Sequence, residues 1–278
     1  MGSKERLDKL VTHRRLIRSR ARAQRMIMAG RIRVNGQTVY RPGHMVDIEA
    51  AIEVVAPEPF VSRGGEKLEG ALDGFRLDPT GKVCLDIGSA TGGFTDCLLQ
   101  HGAERVHCVD VGKGQLDWRL RNNSRVVVHE GLNARYLTCE DIGEPIDLVT
   151  IDVSFISLRL ILPPLCALVG ESADLLTLVK PQFEAGREKV GKGGVVRDQA
   201  VHLQVLKDLR AFVDEVTPWA VVATMFSPLV GPAGNIEFFF HLRRDEGSST
   251  SKHTHTDYST VVAEAHASLL DKAESTNA

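Results

Sequence analysis

Val83-Cys84-Leu85-Asp86-Ile87-Gly88-Ser89-Ala90-Thr91-Gly92-Gly93-Phe94-Thr95 decides the fold. Its first five residues read as a strand that carries one acid, Asp86. A run of small residues with three glycines follows, and Phe94-Thr95 opens a helix. Glycine lets a backbone turn sharply and approach a ligand closely. The glycines fall at 88, 92 and 93, which is not the G-x-G-x-x-G spacing of a dinucleotide loop.

Asp86 sits at the end of the strand, where a carboxylate suits a ligand bearing an ammonium group, as in the methionine part of S-adenosylmethionine. Asp110 ends the next apolar strand, twenty-four residues after Asp86. A carboxylate there can take both ribose hydroxyls of an adenosine. A nicotinamide dinucleotide is the alternative ligand, and the glycine spacing disfavours it.

Outward from this loop, strands are expected at 83–87, 105–109, 125–129, 148–152, 174–179, 220–226 and 236–242, with helical patterns between most of them. That alternation predicts an α/β fold with a mostly parallel, doubly wound sheet. Residues 227–235 leave no room for a helix, so the last two strands should form an antiparallel hairpin at one edge. From 245 onward the chain is rich in Ser, Thr and His, and is expected to be largely disordered, with at most a short helix over 263–270.

The other end of the chain has a different composition. Residues 1–45 hold twelve Lys or Arg against two acids, about +10, while the whole 278-residue chain is −2. The remainder is therefore about −12, and such a basic end suggests a polyanion partner, most commonly nucleic acid. Helical patterns run over 6–10 and 19–28, with Ser19 as N-cap and Gly30 just beyond the end. Asn35-Gly36 reads as a hairpin turn, and 48–55 as one more strand. Ala56-Pro57-Glu58-Pro59 is a short stiff linker. The expected organisation is a basic domain 1–56, a linker 57–61, a catalytic domain 62–244 and a tail 245–278.

Bulk features exclude other classes. The five cysteines (84, 97, 108, 139, 166) show no metal-ligand spacing, and their odd number fits buried thiols in a reducing cytosol. The start shows no export-signal pattern. The apolar stretch 158–179 is broken by Pro163, Pro164, Gly170, Glu171 and Asp174, so it is too interrupted to span a bilayer. The expected location is the cytoplasm, with no membrane partner and no metal.

Four charged residues stand where a sheet enzyme builds its site. Asp152 and Lys180 follow apolar strands, at the ends where open α/β sheets place their chemistry. Glu237 lies inside the apolar run 236–240, and Lys67 lies just before the first strand. Each alone has a structural reading, as a helix cap or a solvated side chain. Together they suit methyl transfer to a hydroxyl, which needs in-line placement and removal of a proton. A lysine near another cation and partly desolvated gives up its proton more readily. Lys180 is the best candidate for that base, with Lys67 and the two acids adjusting it and holding the nucleophile.

These residues resemble a known family. The catalytic part is similar to the FtsJ-like ribose 2′-O-methyltransferases, a Rossmann-like class I methyltransferase fold. The chain from about 4 to 243 resembles the TlyA family of bacterial rRNA methyltransferases, often called haemolysin A. The marks are Ser62-Arg63-Gly64-Gly65-Glu66-Lys67-Leu68, the 86–95 loop, Val109-Asp110-Val111-Gly112-Lys113-Gly114-Gln115-Leu116, Asp152-Val153-Ser154-Phe155-Ile156-Ser157, Lys180-Pro181-Gln182-Phe183-Glu184 and Gly191-Lys192-Gly193-Gly194-Val195-Val196. The first domain resembles the α-L RNA-binding domain of the ribosomal S-four type, through Arg6-Leu7-Asp8, Ser19-Arg20 with Ala23, and the stretch 30–36.

The resemblance implies S-adenosyl-L-methionine as cofactor and a ribose 2′-hydroxyl in ribosomal RNA as acceptor, in 16S, 23S or both, with cytidine the expected nucleotide. It implies a catalytic set of Lys67, Asp152, Lys180 and Glu237. The cofactor residues would be Asp86, Gly88, Ser89, Gly92, Gly93, Asp110, Asn133 and Asp152. The RNA-binding residues would be Arg6, Arg18, Arg20, Arg22, Arg31 and Arg33. Ala90 stands where many relatives are expected to have serine. The alternatives are an inactive RNA-binding or ribosome-assembly factor and a pore former. The latter needs membrane-spanning or amphipathic segments and an export signal that the sequence does not show.

Overall fold

The alternation that begins at Val83 closes into a seven-stranded sheet. The computed structural model describes residues 3–55, 59–244 and 257–275, and the chain divides into two units, Met1–Glu58 and Pro59–Ala278.

The first unit contains β1 (Lys4–Arg6), α1 (Leu7–His13), α2 (Arg20–Met28), β2 (Ile32–Val34), β3 (Gln37–Thr38), β4 (Met45–Asp47) and β5 (Ile52–Val54). β1 pairs antiparallel with β4, and β2 pairs antiparallel with both β3 and β5. Ser19 caps α2 by accepting the Arg22 backbone N–H. Asn35 and Gly36 both have positive φ, 49° and 80°, as a tight hairpin turn between twisted strands requires. Leu7, Leu10, Val11, Ile17, Ala23 and Ile27 lead its core.

The strand expected over 48–55 is shorter, because a turn interrupts it after Asp47. The Asp47 carboxylate accepts the Glu49 N–H at 2.9 Å. Arg14 donates to the carbonyls of Ile48 and Ala50. Backbone groups satisfied in this way do not join a ladder.

The second unit contains α3 (Gly64–Phe75), β6 (Val83–Ile87), α4 (Gly93–Gln100), β7 (Arg105–Asp110), α5 (Trp118–Arg121), β8 (Val126–Glu130), α6 (Cys139–Ile142) and β9 (Leu148–Ile151). It continues with α7 (Leu162–Leu165), β10 (Asp174–Val179), α8 (Pro181–Glu184), α9 (Gln199–Val216), β11 (Trp219–Phe226), β12 (Phe238–Arg244) and α10 (Tyr258–Ser275). The sheet order is β11-β12-β10-β9-β6-β7-β8. β6 to β10 run parallel, and β12 lies antiparallel between β10 and β11. The edge hairpin is therefore present, and Glu237 precedes its second strand rather than lying within it.

Helices cover both faces. Leu68, Leu72, Phe94 and Leu98 from α3 and α4 fill one apolar layer, and Val205, Leu206, Leu209 and Val213 from α9 fill the other. Cys84, Cys97 and Cys108 are buried free thiols, whereas Cys139 is exposed and Cys166 half-buried. Among the described residues no helix is long and apolar enough to cross a membrane.

The tail corrects the sequence reading. In place of a short helix over 263–270, α10 runs from Tyr258 to Ser275. Tyr258, Val262, Ala265 and Leu269 recur on one helical face and enter the same core as α9. His266 Nε2 lies 2.9 Å from Nδ1 of buried His202 on α9. The face mixes Tyr258, Val262 and Leu269 with Ala265 and a histidine, which is why composition hid it. Residues 245–256 and 276–278, and positions 56–58 of the expected linker, lie outside the described residues.

The glycine loop is anchored from beneath. Asp86 is fully buried in β6. It accepts hydrogen bonds from the hydroxyls of Thr95 on α4 (2.6 Å) and Thr150 on β9 (3.1 Å). Burial pushes its carboxyl up to about 7, against the pull of the two hydroxyls. Its value in the folded protein lies above that in the unfolded chain, so Asp86 takes up a proton on folding. The stability it contributes is full below the unfolded carboxylate range and is lost as pH rises through about 7. Thermal melts across pH should therefore show the wild-type protein losing stability towards neutral pH relative to Asp86→Asn, and parallel curves would refute this. Val262→Asp places an unpaired charge in the α9–α10 core, and should lower stability by about 3 kcal/mol. An unchanged melting temperature would show that α10 is dispensable.

Candidate active site

The parallel strands end on one side of the sheet, and there a cavity of about 390 Å³ opens. Gly88, Asp110, Asn133, Asp152, Ser154 and Phe155 line it, with Leu132 and Ile156 among its apolar walls. The Asp110 carboxylate is held by backbone donors: Ala90 N–H reaches Oδ2 at 2.9 Å and Gly112 N–H reaches Oδ1 at 2.7 Å. Each oxygen keeps acceptor capacity for a ligand hydroxyl. Asn133 Oδ1 accepts the Arg135 N–H at 3.0 Å, which fixes the side chain and leaves its amide nitrogen as a donor.

Of the residues expected to hold a cofactor, Gly88, Asp110, Asn133 and Asp152 line the cavity. Asp86, Ser89, Gly92 and Gly93 do not. Asp86 is sealed beneath the loop, with both oxygens occupied by threonine hydroxyls, so it braces the loop rather than facing a ligand. Ser89 is buried, and its carbonyl accepts the Gly92 N–H at 2.7 Å. The later glycines serve packing: a Cβ on Gly93 would lie 2.2 Å from Ser62 Oγ and 2.9 Å from Gly65 N, so only glycine lets α4 start against α3.

The four charged residues form two ion pairs. Lys67 Nζ, from the first turn of α3, lies 2.6 Å from Glu237 Oε2, and both residues are buried. Lys180 Nζ lies 2.6 Å from Asp152 Oδ1. Val179 and Phe238 are register partners on β10 and β12, which sets Lys180 and Glu237 one step further along at the same sheet end. Because β12 runs antiparallel, its beginning meets the ends of the parallel strands.

Three neighbours carry no charge pattern or period that would single them out in the sequence. Ser154 Oγ accepts a hydrogen bond from Lys180 Nζ at 2.9 Å. Phe155 is 91% exposed, at a φ of 64° rare for a bulky residue, and its ring sits 5.2 Å from that of Phe183. Glu184 on α8 accepts from Ser157 Oγ and Leu158 N–H, both at 2.7 Å. It thereby clamps the loop after Asp152 to the helix after Lys180. The shared motif positions of these residues were visible, but not their contacts.

In the first unit the arginines are not alike. Asp8 is fully buried and takes Arg6 through both oxygens at 3.0 Å, Arg20 at 2.9 Å and Gln24 at 2.9 Å. These donors hold its carboxyl well below the usual range. Arg33 faces Glu53 at 3.5 Å. Arg18 and Arg22 are exposed, and Arg31 is half-buried.

Comparison with known proteins places this geometry. The S4 domain family matches residues 5–52, and the FtsJ-like methyltransferase family matches residues 60–244. The 16S/23S rRNA (cytidine-2′-O)-methyltransferase TlyA of Mycobacterium tuberculosis is 45% identical over 87% of this chain and 91% of its own. Hemolysin A of Brachyspira hyodysenteriae is 42% identical over 85% of this chain and 98% of its own. A solved chain from Streptococcus thermophilus that carries a hemolysin name superposes with a TM-score of 0.75 at 40% identity, covering 99% of this chain and 100% of that one. The chain belongs to the TlyA family, in which an S4 domain precedes an FtsJ-like methyltransferase domain.

Proposed function

We propose that the protein methylates a ribose 2′-hydroxyl of cytidine in ribosomal RNA, of the 16S type, the 23S type or both, with S-adenosylmethionine as donor and Lys180 as base. The observation that carries this reading is the Lys180–Asp152 pair at the rim of a cavity whose far side is Asp110. The activity for which the Mycobacterium tuberculosis relative is named supports the same acceptor.

The residues fit the donor. A cavity of about 390 Å³ lies in the range of small-ligand sites. Asp110 can accept the ribose hydroxyls, and Leu132, Ile156 and Asn133 suit an adenine ring. Bound there, S-adenosylmethionine supplies an electrophilic methyl group. Asp152 holds Lys180 Nζ at the rim, and the neutral amine takes the proton as the 2′-oxygen takes the methyl group. Lys67 and Glu237 neutralise one another, so they add local dipole rather than net charge beside the acceptor. The exposed Phe155 ring offers a stacking face to a base turned out of its helix.

A ribose hydroxyl occurs on every nucleotide, so the acceptor must be chosen by docking. Exposed Arg18 and Arg22, with Arg6, Arg20, Arg31 and Arg33, would meet phosphates in the first unit, which gives affinity and register but little base information. Such a substrate would be met in the cytoplasm.

Mapping ribose methylation in ribosomal RNA from cells with and without the protein tests the reading directly, and identical maps would reject it. Lys180→Met should lower the methylation rate at least about 100-fold while calorimetry still shows S-adenosylmethionine binding. An active variant would remove Lys180 from the role of base. Arg18→Ala and Arg22→Ala should each weaken RNA binding alike across sequences and reduce the salt slope by about one. An unchanged slope would place the phosphate contacts elsewhere.

A further inference from the structure

We propose that Ser154 is a positioning residue that aims the Nζ lone pair of Lys180 at the acceptor hydroxyl; this rests on Lys180 being the base. A tetrahedral amine nitrogen has four directions. In Lys180 one is the bond to Cε. A second is the N–H donated to Ser154 Oγ at 2.9 Å, while Asp152 Oδ1 lies 2.6 Å away as an ion-pair partner without hydrogen-bond alignment. A neutral amine has two N–H groups and one lone pair. With one N–H fixed on Ser154, the second N–H and the lone pair share two directions, and the nearby Asp152 charge draws the N–H and repels the lone pair. The charge of Asp152 alone, with no aligned hydrogen bond, would leave the amine free to rotate, and the lone pair would sweep a cone.

The carrier of Ser154 is rigid. At one end of its loop Asp152 N–H donates to the Ile87 carbonyl at 2.9 Å. At the other end Glu184 holds Ser157 and Leu158. Between them the backbone is bent at Phe155, with φ 64°. Ser154 also lines the cavity, so the hydroxyl it presents is set beside the reaction centre. Among the described residues its side chain makes no hydrogen bond except the one from Lys180. It is exposed, so replacing it leaves no hole in the core. Its oxygen accepts from Lys180 and its own proton stays available to donate, which makes it a fixed acceptor and not a competing base.

The test compares the purified full chain with its Ser154→Ala, Ser154→Thr and Lys180→Met variants, using ribosomal subunits as substrate and calorimetry for S-adenosylmethionine. Ser154→Ala should lower kcat about 10- to 100-fold, while KM for RNA and cofactor affinity stay within about 3-fold. Ser154→Thr keeps the hydroxyl and should restore kcat to within about 3-fold of wild type. A Ser154→Ala enzyme with full kcat, or a threonine variant as slow as alanine, overturns the proposal. A fall in cofactor affinity that matches the fall in rate also overturns it, because Ser154 would then be a wall of the cavity. An active Lys180→Met enzyme is a different result, since it removes the base assignment and this inference with it. An inactive Lys180→Met beside a fully active Ser154→Ala overturns the inference alone.

Discussion

Lys67 and Glu237 lie 170 residues apart in sequence, yet Lys67 Nζ and Glu237 Oε2 are 2.6 Å apart in a place with almost no solvent. Removing two charges from water is costly, and their attraction repays this only when the geometry is good. A buried pair is therefore weak evidence for stability. Its effect is on register: a helix that precedes the first strand must meet the beginning of the last strand, or each leaves an uncompensated buried charge. That condition excludes a slipped β12. A one-residue slip would also turn Phe238, Phe239 and Phe240 to the wrong faces of the sheet. Correct placement of β12 then fixes Lys180 as well, because β10 and β12 share a ladder that ends at Val179 and Phe238.

The two ion pairs have different surroundings, and this separates what they can do. Lys67 and Glu237 are closed off and close to one another. Lys180 and Asp152 are also close, but Asp152 lines the cavity and Lys180 has a second partner in Ser154. An amine that can exchange a proton with a ligand must be reachable, and must also be aimed. Lys180 is itself buried, and the two residues that contact it, Asp152 and Ser154, line the cavity. The clamp made by Glu184 belongs to the same solution, since it holds the loop after β9 against the helix after β10. Burial raises the Glu184 carboxyl, and the donors from Ser157 and Leu158 oppose that rise.

Much of this was legible in the sequence, for a physical reason. Strands 83–87 and 174–179 match the observed β6 and β10 end for end, because buried parallel strands are continuous apolar runs with sharp polar boundaries. Asp152 and Lys180 stood out because a charge directly after such a run is costly unless it is paired, and each is the other's partner. The function of Asp86 could not be read in the same way. An acid at a strand end looks identical whether it faces a ligand or two threonines, and only the positions of Thr95 and Thr150 decide. Gly92 and Gly93 are ambiguous in the same way, because close approach to a neighbouring helix or side chain requires glycine as much as close approach to a cofactor does. α10 was hidden because its core face includes Ala265 and a histidine, which composition counts as neutral or polar.

The first unit shows how charge becomes geometry. Twelve basic residues within 45 could be a diffuse positive cloud, and a cloud attracts any phosphate. Asp8 changes that for two of them. It is fully buried, and it holds the guanidinium groups of Arg6 and Arg20 in place while part of each side chain stays in solvent. A long side chain fixed before binding loses less entropy when it meets its target. Its donors also have set directions, so they match phosphates at one spacing better than at another. Ser19 works to the same end, because its cap fixes where α2 begins and hence where Arg20 and Arg22 project. On the proposed reading the rim handles a group present on every nucleotide. Discrimination would then come from surfaces whose charges are held in a particular arrangement, and Asp8 holds Arg6 and Arg20 in one.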